Sequence, residues 1–538
     1  MPEASAPARR TYDVAIVGGG HNALVAAAYL ARAGRSVVVL ERLDHVGGAA
    51  VSERPWPGVD ARLSRYSYLV SLLPRQIIDD LGLRLTLLRR RYSSYTPDPA
   101  DTTRGVLVDT RDAAATAASF VRTTGDEAEA GRFAAFYDRL APLARLLFPT
   151  VTEPLTSARS IRERLGDDRL WSELVEHPLG GMVRGALATD LARGIALTDG
   201  LIGTFAAADE ADLRQNRCFL YHVIGGSTGD WDVPVGGMGA VSGELARAAR
   251  EAGAELRTRV EVESVTPDGE VTLAGGEHVH ARLVLSGVGP AVLARLLGGS
   301  DAASAGSAET APAGGAQPEG AQVKVNMLLR RLPRLRDERV AAEAAFAGTF
   351  HINETLTQLD AAHAAATAGR VPDPLPAEIY CHSLTDPTIL GPDLRGQGAQ
   401  TLTLFGLQVP HRLVARADRD AARSELLAAA RGSLDSVLAE PIDDCVLVAP
   451  DGSPCIEVRT TADLEDDLGM TSGDIFHGPL SWPWADDADV LDSPARRWGV
   501  QTEHAAVLLC GSGARRGGAV SGIGGHNAAM AALEILDR

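Results

Sequence analysis

Apolar and polar residues in the first part of the chain form blocks that predict a strand, a turn and a helix. The apolar run Val14–Val17 precedes Gly18-Gly19-Gly20, and an alanine-rich segment then continues to Gly34. A second apolar run, Val37–Leu40, has the length and composition of a buried parallel strand. Together these blocks predict a βαβ unit and therefore an α/β fold.

The turn of this unit has the glycine spacing of a dinucleotide-binding site. Gly18 allows the tight turn, Gly20 lets the backbone approach a pyrophosphate at the positive end of the helix, and Ala23 takes the third glycine position. Glu41 ends the second strand, where its carboxylate can accept both hydrogen bonds of an adenosine ribose. Strand, turn, helix and acidic residue together predict a dinucleotide. The alternative is a βαβ unit whose glycines only permit close packing.

A second glycine pair, Gly47-Gly48, supplies another close backbone approach to the phosphates. The run Glu41–Gly48 resembles the FAD motif of flavoproteins related to amine oxidases and phytoene desaturases, although many of these have Arg where this chain has Ala49. The chain is most similar to their phytoene dehydrogenase-related branch, which includes pyridine nucleotide-disulphide oxidoreductase domain-containing protein 2. The segments that carry this resemblance are GGGHNALVAAAYLARAG, VGGAAVSE, PVGGMGAVSGELARAA, GDIFHGPLSW and LLCGSGARRGGAVSGIGGHNAAMAALE. The resemblance implies FAD, a discontinuous Rossmann-like FAD-binding domain and an inserted α+β substrate domain.

The last of these segments predicts a strand, Val507–Cys510, followed by a glycine-rich turn and a helix that begins near Ile523. A helix start directs free N–H groups and a partial positive charge at an anionic group. In similar flavoproteins that helix faces the pyrimidine edge of the isoalloxazine, which makes Gly522 and Ile523 candidates for the contact. Gly511 and Ser512 match the ribityl and phosphate contacts. The alternative is a loop that only packs against the first sheet.

The same turn carries Arg515-Arg516 where similar proteins usually have His-Pro. Directed at the flavin, the two guanidinium groups would favour an anionic substrate or an anionic reduced flavin. We expect at least one of them at the surface, where arginine is most often found.

Cys510 could link to flavin covalently, but a packed thiol is expected within an apolar strand.

A second glycine pattern, Gly237-Met238-Gly239, imitates another nucleotide site, such as one for NADPH. The run before it contains Pro234 and is too short for a central parallel strand. The resemblance instead returns this segment to the FAD domain, with the backbone of Val262 beside the adenine. We therefore expect FAD as the single dinucleotide and no direct reduction by NAD(P)H.

The domain organisation follows from where these motifs lie. Residues 299–321 lack large apolar side chains and are expected to be a flexible insertion. The predicted division is FAD-binding segments 12–72, 232–298 and 498–538, substrate-domain segments 73–231 and 322–497, and the insertion, with helices over 112–215 and strands at 322–329 and 401–409.

Composition excludes several classes of partner. The chain has 52 Lys plus Arg and 70 Asp plus Glu, a net charge of -18, whereas nucleic acids and anionic membranes require clustered positive charge. No apolar run reaches the roughly 18–20 residues of a membrane span, and residues 1–10 lack the apolar core of a signal peptide. Five cysteines without a Cys-x-x-Cys pair indicate a reducing compartment and no metal site. We expect a cytoplasmic protein without nucleic-acid or membrane-span partners.

Catalytic residues are weakly marked, because hydride transfer to flavin needs mainly placement and a dry cavity. His477, within GDIFHGPLSW, is the candidate base, and its alternative is a hydrogen-bonded structural histidine. His351 and His382 are weaker candidates. His21, next to the phosphate glycines, is expected to position the cofactor.

These features predict an FAD-dependent oxidoreductase that takes hydride from a C–H or C–N bond of a largely apolar small molecule. Desaturation and amine oxidation stay open, as does the electron acceptor, for which oxygen and a quinone both fit. We expect apolar and aromatic groups, including Trp482 and Trp484, around the substrate. The alternatives are a redox-neutral flavin isomerase and a flavin-containing scaffold without turnover.

Overall fold

A computed structural model describes residues 10–298, 319–415 and 418–538, so most of the predicted insertion lies outside the described residues. Within them, the strands are β1 Arg10–Val17, β2 Val37–Leu40, β3 Ser52–Glu53, β4 Leu63–Ser64, β5 Leu87–Leu88, β6 Tyr92–Asp98, β7 Asp101–Asp109, β8 Val233–Pro234, β9 Glu255–Arg257, β10 Val262–Val265, β11 Glu270–Leu273, β12 His278–Ser286, β13 Gln322–Leu329, β14 Thr349–Ile352, β15 Ala377–Tyr380, β16 Gln400–Leu407, β17 Ile456–Thr460 and β18 Val507–Leu509.

The α-helices of the described residues are α1 His21–Arg32, α2 Arg75–Leu81, α3 Ala113–Thr124, α4 Glu129–Leu147, α5 Ala158–Leu165, α6 Asp168–Trp171, α7 Leu179–Ala186, α8 Asp190–Thr198, α9 Arg214–Ile224, α10 Met238–Glu251, α11 Pro290–Leu296, α12 Ala342–Ala347, α13 Leu356–Thr367, α14 His382–Thr385, α15 Pro392–Gly396, α16 His411–Val414, α17 Arg419–Val437, α18 Thr461–Leu468, α19 Pro494–Trp498 and α20 Ile523–Leu536. None of them is both long and apolar enough to cross a bilayer.

The first sheet has seven strands around a parallel centre. Strand β1 pairs in parallel with β2 and β12, β2 pairs with β9, and β12 pairs with β18. Strands β10 and β11 add an antiparallel edge beside β12. The runs Val14–Val17 and Val37–Leu40 are buried throughout, which explains why neither alternates with polar residues. The predicted βαβ unit is therefore confirmed.

The N-terminal and C-terminal segments meet where α1 crosses α20. A Cβ atom on Gly525 would lie 1.8 Å from the carbonyl oxygen of Asn22, so a glycine is required at this crossing. The alanine-rich faces of the two helices pack in the largest apolar cluster of this part, together with α10. This contact brings the glycine loop after β18 beside the glycine turn after β1.

The second sheet has the strand order β17-β13-β16-β15-β14-β6-β7. Alternate residues of β13, such as Val323 and Val325, pack with Leu426 and Leu434 of α17 in an apolar cluster. The opposite face of the sheet is turned toward a layer formed largely by α4–α9. The predicted fold class, a Rossmann-like sheet with an added α+β part, is confirmed by this architecture, while the predicted domain boundaries stay a prediction.

Candidate cofactor and substrate cavity

A cavity of about 1350 Å³ is lined by residues of both sheets and of the helical layer. Single small ligands usually occupy pockets of about 300–1,000 Å³. The cavity therefore has room for a dinucleotide and a substrate together. Its wall includes most of the residues that the sequence predicts for the cofactor, namely Gly18, Gly20, His21, Ala23, Glu41, Gly48, Val262, Gly511 and Ser512.

The glycine turn before α1 leaves an open anion site. Gly18 has φ 87°, a conformation that favours glycine, whereas Gly20 has φ -65° and would tolerate other residues. A Cβ atom on Gly20 would meet no atom within 4 Å, so it would project into the cavity. Among the residues that the structure describes, no side chain caps α1 at Gly20, and the N–H groups of the first turn therefore remain for an anionic ligand.

Glu41 is buried at the cavity wall and held by two backbone groups. The N–H of Gly19 donates to Oε2 at 2.6 Å, and the N–H of Leu43 donates to Oε1 at 2.8 Å. Each carboxylate oxygen keeps a further lone pair, so the group can still accept the hydroxyls of a ribose. The backbone fixes the orientation that such recognition needs.

Gly47 does not line the cavity, although its neighbour Gly48 does. Its N–H donates to the carbonyl of Gly19 at 2.8 Å, and a Cβ atom there would lie 2.9 Å from both Ser242 Oγ and Val51 Cγ1. The residue therefore holds the second glycine loop against the first, and its predicted phosphate contact stays a prediction.

The C-terminal loop reaches the cavity through Gly511 and Ser512, and again through residues 518–520. Gly522 and Ile523 do not line the cavity, because a Cβ atom on Gly522 would lie 3.0 Å from Val25 Cγ2 of α1 and Ile523 is fully buried. Their predicted flavin contact stays a prediction. Cys510 directly follows β18, is buried and does not line the cavity, and burial raises the pKa of its thiol.

His21 joins the two glycine loops. Its Nε2 lies 3.1 Å from the carbonyl oxygen of Ala519, and its ring lines the cavity. Burial lowers the pKa of His21 to about 4, so the imidazole is neutral at physiological pH. This contact supports the predicted positioning role.

The expectation that at least one of the two arginines lies at the surface is wrong for Arg516, whereas the side chain of Arg515 is 16% exposed. Arg516 is 2% exposed, and its Nη1 donates to the carbonyls of Thr150 at 2.8 Å and Glu153 at 2.9 Å. Arg515 pairs with Asp489 at 3.0 Å. Neither arginine lines the cavity. Both bind neighbouring segments and stabilise the position of the loop, and neither is placed to contact a ligand in the cavity.

Trp482 and Trp484 do not line the cavity, although Phe476 does, and His477 lines it as the sequence predicts. Its Nδ1 has no hydrogen-bond partner among the described residues, and burial lowers the pKa of the ring to about 4. Trp482 and Trp484 stack at 5.1 Å beside Trp171 in the helical layer, so their expected place around the substrate is wrong. His382 is half-buried and does not line the cavity.

The second glycine pattern has a structural role in the first sheet's helix α10. The N–H of Met238 donates to Ser64 Oγ at 3.0 Å, and the N–H of Gly239 donates to Ser52 Oγ at 2.9 Å. Serine hydroxyls thus satisfy the first turn of this helix, in contrast to the uncapped start of α1. This difference supports a single dinucleotide site.

The second sheet turns a row of side chains into the cavity. The strand register places one residue of each strand beside the next, and strands lie about 4.8 Å apart, so the row extends for roughly 20 Å. We call it the sheet row, and its members across β17, β13, β16, β15 and β14 are Arg459, Lys324, Phe405, Glu378 and His351. The predicted apolar lining is therefore wrong for this wall, and only His351 had been a candidate.

Lys324 is a buried amine between Arg459 and Phe405 in this row. It is 4% exposed, and its Nζ donates to the carbonyls of Ser64 at 2.7 Å and Tyr66 at 3.0 Å. Burial lowers the pKa of Lys324 to about 7. An ammonium has three donors, so one remains for a group inside the cavity.

A further wall of the cavity is lined mostly by apolar side chains, with Asp138 of α4 among them. We call it the α3–α4 wall, and Ala130, Ala134, Tyr137 and Ala141 of α4 lie on it at helical spacing, with Ala117 of α3 beside them. Ala134 is also exposed, so the wall extends from the molecular surface toward the sheet row.

Two known proteins are similar to the chain in sequence, and a third shares its fold. An uncharacterised protein of Mycobacterium tuberculosis is 54% identical to the chain over 540 residues, which cover 98% of each protein. Pyridine nucleotide-disulfide oxidoreductase domain-containing protein 2 of Rattus norvegicus is 29% identical over 569 residues, covering 96% of this chain and 92% of that protein. Cyclohexylamine oxidase from Brevibacterium oxydans shares the fold, with a TM-score of 0.57 and 16% identity over 98% of this chain and 100% of that one.

The family assignment comes from the sequence. Residues 24–312, more than half of the chain, match the family described as flavin containing amine oxidoreductase. The predicted relationship to amine-oxidase-related flavoproteins is thereby confirmed, and with it a flavin cofactor and oxidoreductase activity. The chain belongs to the flavin containing amine oxidoreductase family.

Proposed function

We propose that the protein binds one FAD in the cavity and oxidises a C–H or C–N bond of a small molecule that has an apolar part. The observation that carries this proposal is the continuity of the cavity, whose wall runs from the glycine turn and Glu41 to the sheet row. Bound FAD supplies the two-electron oxidant in such a reaction.

The residues at the first-sheet end fit the cofactor. The uncapped start of α1 at Gly20 suits the pyrophosphate, and the backbone-held Glu41 suits the ribose. Val262 is proposed beside the adenine, while Gly511 and Ser512 are proposed at the ribityl chain and phosphate. Gly522 and Ile523 lie outside the cavity wall, and their proposed part is to begin α20, whose start would face the pyrimidine edge.

The remaining walls fit a substrate with two chemically different ends. The α3–α4 wall offers apolar contact to a chain, and the sheet row offers ionisable groups to a polar end. The fold shared with a cyclohexylamine oxidase favours oxidation at a carbon next to nitrogen over desaturation of a polyene. Oxygen and a quinone both stay compatible as electron acceptors.

Flavin content and anaerobic reduction test this proposal. Purified protein should be yellow and release one FAD per chain on acid or heat treatment, and apolar amines or alcohols should bleach the flavin without oxygen. Substrate rearrangement without net flavin reduction would identify the isomerase alternative. Protein that stays colourless when FAD is supplied would refute the cofactor proposal.

A further inference from the structure

Glu378 is the acidic member of the sheet row and is 1% exposed to solvent. It lies on β15 between Phe405 of β16 and His351 of β14 in the register of the sheet. A carboxylate in such a place loses most of its hydration, so its oxygens need partners in the protein or in a ligand.

The two oxygens of Glu378 differ in their surroundings. The hydroxyl of Tyr380 donates to Oε2, whereas Oε1 makes no hydrogen bond within the described part of the chain. His351 Nδ1 lies 3.9 Å from Oε1, but it is only 2.6 Å from Oε2 of Glu354, which also accepts the hydroxyl of Thr198. Two carboxylates thus share one imidazole, and Glu354 has the shorter contact. Oε1 of Glu378 is left for a donor that a ligand brings.

The surrounding charges favour a proton on Glu378 more than on an ordinary glutamate. Burial raises the pKa of Glu378, and the charges of Glu354 and Asp199 raise it further, against His351 and Tyr380. Burial lowers the pKa of His351, but the ion pair with Glu354 outweighs this effect and raises it overall. A base is most effective when its pKa lies close to the working pH. The groups that face Glu378 from the neighbouring elements are His351, Glu354, Tyr380, Tyr68, Arg90, Asp199 and Cys218.

We propose that Glu378 is a catalytic base whose Oε1 accepts the proton of an O–H or N–H group on the substrate carbon that is oxidised. The proposal rests on the function proposed above and narrows the substrate to an alcohol or amine with an apolar part. The O–H or N–H bond breaks toward Glu378, and its electron pair becomes the second bond between carbon and the heteroatom. The hydrogen of the adjacent C–H bond leaves with both of its electrons to the bound FAD, the oxidant.

Tyr380 and the His351–Glu354 pair are positioning residues in this scheme. The hydroxyl of Tyr380 donates to Glu378 and stabilises its ionised form. Tyr380→Phe removes that donor, so it should raise the pKa of Glu378 further and move the pH profile of the reaction to higher pH. A purely structural role for Tyr380 predicts lower stability with an unmoved profile.

The first experiment follows the proton without turnover. Infrared difference spectra of the FAD-loaded protein, recorded between mildly acidic and mildly alkaline pH, detect carboxyl groups that lose a proton. We expect one carboxyl band of the wild type to be absent from Glu378→Gln and present in Glu425→Gln, whose side chain is exposed on α17. If Glu378→Gln retains every wild-type band, Glu378 does not titrate in this range and the proposal is overturned.

The second experiment measures the single-turnover rate of flavin reduction by a panel of primary alkylamines and alkanols at several pH values. The wild-type rate should rise with pH as Glu378 loses its proton, and Glu378→Gln should slow it by about 10²–10⁴-fold at unchanged FAD content. A variant as fast as the wild type, or a panel in which no compound reduces the flavin, overturns the proposal. Failure of the wild type to bind FAD refutes the proposed function instead, and the infrared titration remains measurable in that protein.

Discussion

Gly19 and Gly20 are adjacent, yet the structure assigns them opposite roles. A Cβ atom on Gly20 would meet nothing within 4 Å, and its φ of -65° suits any residue. A Cβ atom on Gly19 would lie 2.9 Å from Val46 Cγ1 and 3.1 Å from Glu41 Oε2. We therefore predict that Gly20→Val blocks the cofactor and spares the fold, whereas Gly19→Ala disturbs the fold itself.

The magnitudes follow from these contacts. In Gly20→Val, the lower entropy of the unfolded chain stabilises by about 0.4–1 kcal/mol and offsets a loss of similar size at the helix N-cap, where valine is disfavoured. The free energy of unfolding without FAD should therefore stay within about 0.5 kcal/mol of the wild type. Gly19→Ala should lower it by about 1–3 kcal/mol through overpacking. Added FAD at 100 times its Kd should stabilise the wild type by about 2.7 kcal/mol and Gly20→Val not at all.

Denaturant unfolding of each apoprotein, with and without added FAD, separates the two effects, and visible absorption reports bound flavin. Full flavin occupancy in Gly20→Val would refute the phosphate position proposed here. Unfolding of the Gly20→Val apoprotein would show that Gly20 is needed for packing, contrary to the open space beside it.

Four further outcomes are expected. Ala134→Trp should slow flavin reduction by an apolar substrate by at least about 10-fold, and Ala135→Trp, on the exposed face that does not line the cavity, should leave the rate unchanged. His477→Ala should lower the single-turnover reduction rate at nearly unchanged FAD affinity, and an unchanged rate would remove it from the site. Arg516→Met should cost about 1.5–3 kcal/mol of stability per lost charged hydrogen bond, measured by thermal unfolding, without altering the flavin spectrum. NADPH should fail to bleach the flavin rapidly in stopped flow, and saturable bleaching would revive Gly237–Gly239 as a second site.

Several elements could be predicted from the sequence because each corresponds to a short, uninterrupted apolar run, in most cases next to glycines. Strand β2 has the predicted bounds Val37–Leu40, and α20 begins at the predicted Ile523. Strand β13 also has its predicted bounds, Gln322–Leu329. Each of these elements depends on local pattern and on burial of both faces, which a single segment can show.

The sheet row could not be predicted in the same way, since each of its members comes from a different strand of a largely antiparallel sheet. A signal was present within single strands, because Gln322, Lys324 and Asn326 alternate with apolar residues, as do Glu378 and Tyr380. Such alternation indicates a polar face, and a polar face on a fully buried strand indicates a cavity. The register that joins the strands depends on tertiary pairing.

The misplaced aromatic and arginine residues have a different cause. The spacing of Trp482 and Trp484 is compatible with a cavity lining and with a packed stack, and the choice depends on Trp171, which is distant in sequence. A buried Arg516 requires carbonyl partners, and these come from the turn after α4. General frequencies for exposed arginine cannot anticipate such partners.

The two walls of the cavity also differ in how freely they can change. Except for Arg459 on the edge strand β17, members of the sheet row lie on strands that are paired on both sides. Replacement of Glu378 by an apolar residue leaves the hydroxyl of Tyr380 without its acceptor. The α3–α4 wall includes several alanines, of which Ala134 is exposed, and a larger side chain in place of an alanine alters the volume without leaving a polar group unpaired. Substitutions of the alanines on α4 should therefore change which substrate sizes the cavity accepts, whereas the oxidation step itself depends on the sheet row.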